Sequence, residues 1–186
     1  MLATIEVEVP TLADLAPAVA RCAQPESDEH EGAGGVEQPA LLLDAELRDD
    51  KPPYEPGIYV WSDPRGAVVY IGSATGKSRG YLAGRLSEET DWVENYDPLG
   101  DWWKPSVVHV ARTYHATPRW ARATDTQSAL EAERRLIEWH RSRAGIAPIA
   151  VGWDAQKGSP RERAETWART LWDETIPGTT ADPRTR

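Results

Sequence analysis

At 186 residues with a hydrophobic fraction of 40%, the chain can bury one domain of ordinary size and carry an extension besides. Its one cysteine, Cys22, can close no intrachain disulfide and build no zinc site by itself. The formal net charge of −9 speaks against a phosphate-binding partner only until its distribution is counted: residues 1–56 hold 13 acids and 3 bases, net −10, whereas residues 57–186 hold 17 acids and 18 bases, net +1. Seven arginines fall between Arg112 and Arg143, which allows a local basic surface. No apolar run approaches the ~20 residues that span a bilayer, and the N-terminus lacks a basic segment followed by an apolar stretch, so a cytoplasmic protein with no membrane contact is expected.

In chain order, Met1 to Pro10 alternates like a strand, and Thr11 to Cys22 reads as a short helix with Thr11 as N-cap; together they make a small N-terminal segment over residues 1–23. Residues 24–54 read as an acidic flexible linker and lead-in, because Gln24 to Gln38 has almost nothing to bury. Pro52, Pro53 and Pro56 then introduce GIYVWSDPRGAVVYIG, two strands around the turn Asp63 to Gly66. With Ser62 opposite Ala67, the pairs outward are Trp61 with Val68, Val60 with Val69, Tyr59 with Tyr70 and Ile58 with Ile71. One face is then Ile58, Val60, Val69 and Ile71, expected against the core; the other presents Tyr59, Trp61, Val68 and Tyr70. Gly57 and Gly72 permit close backbone approach beside the phenols.

Tyr81 to Glu89 has helical spacing and puts Arg85 on one face with Leu82, Leu86 and Glu89, where a guanidinium needs an acidic partner or a phosphate. Asp91 to Pro105 reads as a loop carrying Trp92, Tyr96, Trp102 and Trp103, and Ser106 to Arg112 as a third strand with His109 on the face of Val107 and Ala111. A long helix is expected over Thr126 to Arg143, starting near Thr126 or Ser128 and ended by Gly145 and Pro148. Its apolar stripe runs Ala129, Leu130, Glu133, Leu136, Ile137 and His140, so Glu133 is a carboxylate facing inward, costly unless it is paired or holds a cation. A buried ion pair with Arg85, or a register displaced by one position, is the structural alternative. Residues 152–186 are expected as a last helix, about Pro160 to Asp173, and a frayed tail. Gly72 to Ser78 imitates a phosphate-binding loop but is one residue short between its glycines and opens no βαβ unit.

Gly57-Ile58-Tyr59, ten residues, then Tyr70-Ile71-Gly72 resembles the signature of the GIY-YIG nuclease family. Leu82-Ala83-Gly84-Arg85-Leu86-Ser87 resembles the start of that family's arginine helix, with Arg79 a second candidate for the arginine. Ser128-Ala129 followed by Glu133-Arg134-Arg135-Leu136-Ile137 resembles its glutamate helix, with Glu131 the less favoured alternative. The asparagine common after that helix has no counterpart in Ala147-Pro148-Ile149-Ala150. The resemblance covers about residues 55–151. It implies an α+β fold with a small three-stranded antiparallel sheet flanked by helices, and a metal-dependent endonuclease acting on nucleic acid, with DNA the expected partner. It further implies one Mg²⁺ (or Mn²⁺) held by Glu133, Tyr59 as general base, Arg85 on the phosphate charge, Tyr70 orienting water or phosphate, and Gly72 admitting the substrate. Lys77 and Arg79 are expected at the nucleic-acid backbone; His109 is either within reach of the site or, as is commoner, a satisfied core histidine, and Trp102 and Trp103 are either stacking candidates or ordinary bulky core residues. The alternatives are a domain that binds nucleic acid or protein without cutting, or chemistry on a non-nucleic substrate.

Overall fold

The computed structural model describes residues 9–24, 40–97, 100–101 and 104–154. The strand expected over Met1 to Pro10 lies almost wholly outside the described residues, as do Trp102, Trp103 and the helix expected over Pro160 to Asp173. The elements in order are α1 (Leu12–Cys22), β1 (Gly57–Ser62), β2 (Val68–Ala74), α2 (Tyr81–Glu94), α3 (Ser106–Tyr114), β3 (Thr117–Arg122), α4 (Thr126–Ala144) and α5 (Ile149–Asp154). The strands form one antiparallel sheet in the order β2-β1-β3, so the fold is α+β with helices flanking a three-stranded sheet. Among the described residues no helix is long and apolar enough to cross a membrane.

The third strand is not where it was expected. Ser106 to Tyr114 is helical and Thr117 to Arg122 is β3. Val107, Val108, Val110, Ala111 and Tyr114 are all buried, so the valine-rich run satisfies a 3–4 spacing as well as an alternating one. The true strand is disguised by Pro118, which a sheet tolerates at an edge such as β3.

The hairpin register also differs from the expected one. Tyr59 pairs with Gly72 and Trp61 with Tyr70, two positions along from the simple ladder, and the register shifts between Trp61 and Ser62, which pairs with Val68. Val69 is the extra residue of a β-bulge. Because the displacement is even, Tyr59, Trp61 and Tyr70 keep their shared face, but the bulge exchanges the two valines. Val68 joins Ile58, Val60 and Ile71, and Val69 packs with Tyr59 and Trp61.

Both faces of the sheet are covered, giving helix, sheet and helix layers. The aliphatic face packs on Leu15, Val19 and Cys22 of α1 and on Ala129, Ala132 and Leu136 of α4. The aromatic face packs on Leu82 and Leu86 of α2, on the valines of α3 and on Ile149 and Ala150 of α5. Helix α1 begins as expected, with Thr11 and Asp14 forming a reciprocal capping box. Residues 40–54 run beside β3: Arg48 and Trp120 exchange backbone hydrogen bonds of 2.7 and 2.9 Å, and the Asp44 amide donates to the Arg122 carbonyl at 2.8 Å. This segment therefore covers an edge that would otherwise expose unpaired backbone.

In α4 the N-cap is Asp125, whose carboxylate accepts from the Ser128 amide at 2.7 Å, and Gly145 closes the helix at φ +74°. Its buried line is Ala129, Ala132, Leu136 and His140. Leu130, expected in the stripe, is 47% exposed, so the buried face is rotated and Glu133 sits at its half-buried margin. His140 Nδ1 donates to the Ile146 carbonyl at 2.8 Å, whereas buried Nε2 has no hydrogen-bond partner among the described residues. Burial consequently holds the His140 pKa below the ordinary histidine value. With the folded value depressed, the native state binds fewer protons, so this contribution is intact above about pH 6.5 and is lost as pH falls below it. An NMR titration should find His140 neutral below pH ~6.5, with the melting temperature falling through that window. Protonation of His140 at the ordinary value would contradict the assignment.

Candidate active site

The sheet supplies the phenols and the glycines make room for them. A Cβ on Gly57 would stand 2.3 Å from the Ala121 carbonyl oxygen and 2.5 Å from Leu82 Cδ1, so its absence lets α2 lie close against β1. A Cβ on Gly72 would stand 2.5 Å from Tyr70 Cε1 and 2.9 Å from Tyr59 Cζ. The two rings lean over this glycine with centroids 5.8 Å apart and planes tilted by 42°. The space at Gly72, expected to admit a substrate, is thus occupied on this face by the phenols themselves. Gly72→Ala should cost about 1–3 kcal/mol of stability through this overlap, whereas Gly76→Ala should stay within about 0.5 kcal/mol. At Gly76 a Cβ would meet nothing nearer than Arg79 at 3.8 Å. Urea midpoints check this pair, and equal stabilities would contradict the packing role.

Helix α2 supplies the charge. Glu89 is 0% exposed and takes three donors: the Tyr59 hydroxyl on Oε1 at 2.9 Å, Arg85 Nε on Oε1 at 2.7 Å and the Trp61 indole on Oε2 at 3.1 Å. Arg85 Nε also lies 3.1 Å from the Tyr59 oxygen. The acidic partner of Arg85 is therefore Glu89, one helical turn along, and not Glu133. Burial pushes the Glu89 carboxyl above the ordinary carboxylate range despite the pull of Arg85 and its two hydrogen-bond donors. Burial likewise pushes the Tyr59 phenol well up, helped by the Glu89 and Tyr70 charges. Tyr59 is 1% exposed, so its oxygen is sealed as well as engaged, while Tyr70 is half-buried. The Arg85 side chain keeps 22% of its surface exposed, and among the described residues its terminal nitrogens have Glu88, at 3.9 Å, as their ion-pair partner.

Glu133 approaches from the other side. Its carboxylate accepts from the Ser73 hydroxyl. Ser73 pairs with Ile58, on the face that α4 covers, and so points away from its neighbour Gly72 and the phenols. Burial raises the Glu133 pKa, the Ser73 hydrogen bonds lower it, and among the described residues no cation contributes. Such a half-buried carboxylate suits a hard cation such as Mg²⁺, which binds one or two carboxylates and keeps several waters. Among the described residues no group of three His, Cys, Asp or Glu could form a fuller cage. Tyr59, Tyr70 and Arg85 are thus brought together on one face, and Glu133 stands across the edge strand β2 from them.

The other expected site residues are scattered. His109 lies on α3, 5% exposed, with Nε2 donating to the Lys104 carbonyl at 3.2 Å and Nδ1 accepting from the Tyr96 hydroxyl at 2.7 Å, which is the satisfied core position of a histidine. Lys77 and Arg79 are exposed on the short turn that leads into α2. Much of the arginine run is neutralised by acids: Arg119 pairs with Asp49 at 3.1 Å, Arg122 with Glu55 at 3.3 Å and Asp44 at 3.4 Å, and Arg134 with Glu131 at 2.7 Å. A groove of about 600 Å³ outside α2 contains none of the site residues, and its lining is net acidic, with Asp49, Asp50, Asp91 and Glu94 against Lys51, which disfavours phosphate.

Sequence reading overlooked Glu89, Trp61 and Ser73 as site components. Glu89 carried a usable signal, an acid at i+4 from Arg85 on the same apolar face. Compared with protein-family models, with curated proteins and with solved structures, the chain finds no match in any of the three.

Proposed function

We propose that this domain is a metal-dependent endonuclease of GIY-YIG type that hydrolyses phosphodiester bonds, with DNA as its expected substrate. The observation that carries the reading is the Tyr59, Tyr70 and Arg85 cluster, tied together at its buried end and offering the terminal nitrogens of Arg85 at its exposed end. A guanidinium fork matches two phosphate oxygens, and charge building on them in the transition state is what such a donor stabilises. Tyr70 is the phenol with solvent access, so the hydrogen bond to attacking water or phosphate falls to it. Tyr59, assigned the base role on resemblance alone, donates a hydrogen bond to Glu89 and accepts one from Arg85, so it serves to hold that arginine. Glu133, with Ser73 beside it, is the residue that would hold Mg²⁺ or Mn²⁺. When bound, the ion neutralises charge on the phosphate and leaving oxygen. Lys77 and Arg79 contribute contacts to the nucleic-acid backbone.

A second reading, a domain that binds nucleic acid without cutting it, is favoured by the sealing of Tyr59 and by the placement of Glu133 on the opposite face. Incubation with plasmid, single-stranded and branched DNA and with RNA, in Mg²⁺ or Mn²⁺, separates the two. Metal-dependent cleavage is the expected result. Retention of nucleic acid without cleavage of any substrate would favour the second reading, and neither binding nor cleavage would sink both.

A further inference from the structure

We propose that Glu89 is a positioning residue that fixes Arg85 by its Nε edge so that the terminal nitrogens form a preset seat for a phosphate oxyanion. The inference rests on the nuclease reading for its chemistry and on α2 geometry for its substance. Arginine has five N–H donors, and a side chain with four rotatable bonds holds them in no fixed direction by itself. Here Glu89 Oε1 takes Nε at 2.7 Å, and the same oxygen accepts from Tyr59 at 2.9 Å. The second oxygen is held at 3.1 Å by Trp61, so the carboxylate cannot rotate without losing a donor. Glu89 is in turn fixed by complete burial. Among the described residues the Nη edge has the partly exposed Glu88, at 3.9 Å, as its ion-pair partner, too far for a strong hydrogen bond and readily displaced by an anion.

The isosteric change Glu89→Gln discriminates this role from packing. An amide offers one acceptor oxygen, so its NH₂ must face either the Trp61 indole or Arg85 and Tyr59, and the clamp opens on one side. The expected result is a kcat lowered by about 10- to 100-fold with KM within about 3-fold, the signature of misplaced transition-state contacts. Glu89→Asp should recover part of the loss. Trp61→Phe, which frees the second carboxylate oxygen but leaves the Arg85 contact, should lower kcat in the same direction by a smaller factor, about 2- to 5-fold.

An arm independent of cleavage uses ¹⁵N spectra of the arginine Nε–H, with inorganic phosphate as probe. In wild type the Arg85 signal should be displaced, slow to exchange and shifted by phosphate. In Glu89→Gln it should move to the solvent-averaged position and respond to phosphate about 10-fold more weakly. An Arg85 signal unchanged by Glu89→Gln, or one indifferent to phosphate in wild type, would overturn the positioning role. Absence of cleavage by wild type, with the Arg85 signals behaving as expected, would remove the nuclease reading and leave the seat intact.

Discussion

Arg85→Ala is expected to lower stability by about 3 kcal/mol, the low end of the cost of breaking a buried pair, because the guanidinium is still partly reached by water. Its partner Glu89 is fully buried, so the change leaves either a lone carboxylate in the core or a carboxyl forced to take up a proton. The Tyr59 oxygen loses a donor at the same time. A double-mutant cycle with Glu89→Gln isolates the pair, since each single change removes the same ion pair. The double variant should fall short of the sum of the singles by about 2 kcal/mol in urea unfolding. Additivity within ~0.5 kcal/mol would show that the pair contributes nothing of its own. Assayed well below its melting temperature, Arg85→Ala should also lose cleavage by about 100-fold or more, as removal of an oxyanion donor does.

The opposite pattern is expected for Glu133→Gln, which should inactivate while stabilising. Burial raises the folded-state pKa of Glu133, and among the described residues no cation offsets it. A carboxyl with a raised folded pKa favours folding below its ordinary value of about 4.3, and that contribution disappears as pH rises through the folded value. Near neutral pH the ionised side chain therefore costs stability, and the amide removes the cost while still accepting from Ser73. The gain should reach up to about 1 kcal/mol at pH 7, in line with the exchange of stability for activity at functional sites. It should vanish below about pH 4, where the carboxyl is protonated in both states. Metal-dependent cleavage should fall more than about 100-fold, beyond the loss that follows removal of an outer partner of a metal ligand. A less stable variant that still cleaves would make Glu133 a structural residue.

The parts of the fold that were legible in the sequence are those set by local chemistry. The Thr11 cap, the turn after Asp63, the αL stop at Gly145 and the inward face of α2 follow from residue types at short spacing, and each stands in the structure. The parts that were not legible depend on partners distant in the chain. At α3 the residues Val107, Val108 and Val110 fit either period, and the helix is settled by packing against α2 and α5. The bulge at Val69 leaves no mark in composition, yet it sets which valine joins which layer. The site shows the same division. That Arg85 lies on the inward face of its helix was readable, while Glu133, expected in mid-stripe, sits at the half-buried margin of α4; one sheet has two faces, and α2 and α4 take one each. Inward therefore meant opposite sides of β2, and the acid that reaches Arg85 is its own helical neighbour Glu89.

The proposed nuclease activity requires the phenol and arginine face and the Glu133 carboxylate to act as one site around β2, although Gly72 and Ser73 point to opposite sides of that strand. Titration of ¹⁵N,¹³C-labelled protein with Mn²⁺ tests it without knowledge of the substrate, because paramagnetic broadening marks residues near the ion. Signals of Glu133, Ser73 and Gly72 should broaden first, followed by the Tyr70 ring that leans over Gly72, and Glu133→Gln should abolish the effect. Broadening centred elsewhere, or confined to α4 with the Tyr70 ring untouched, would contradict a single site.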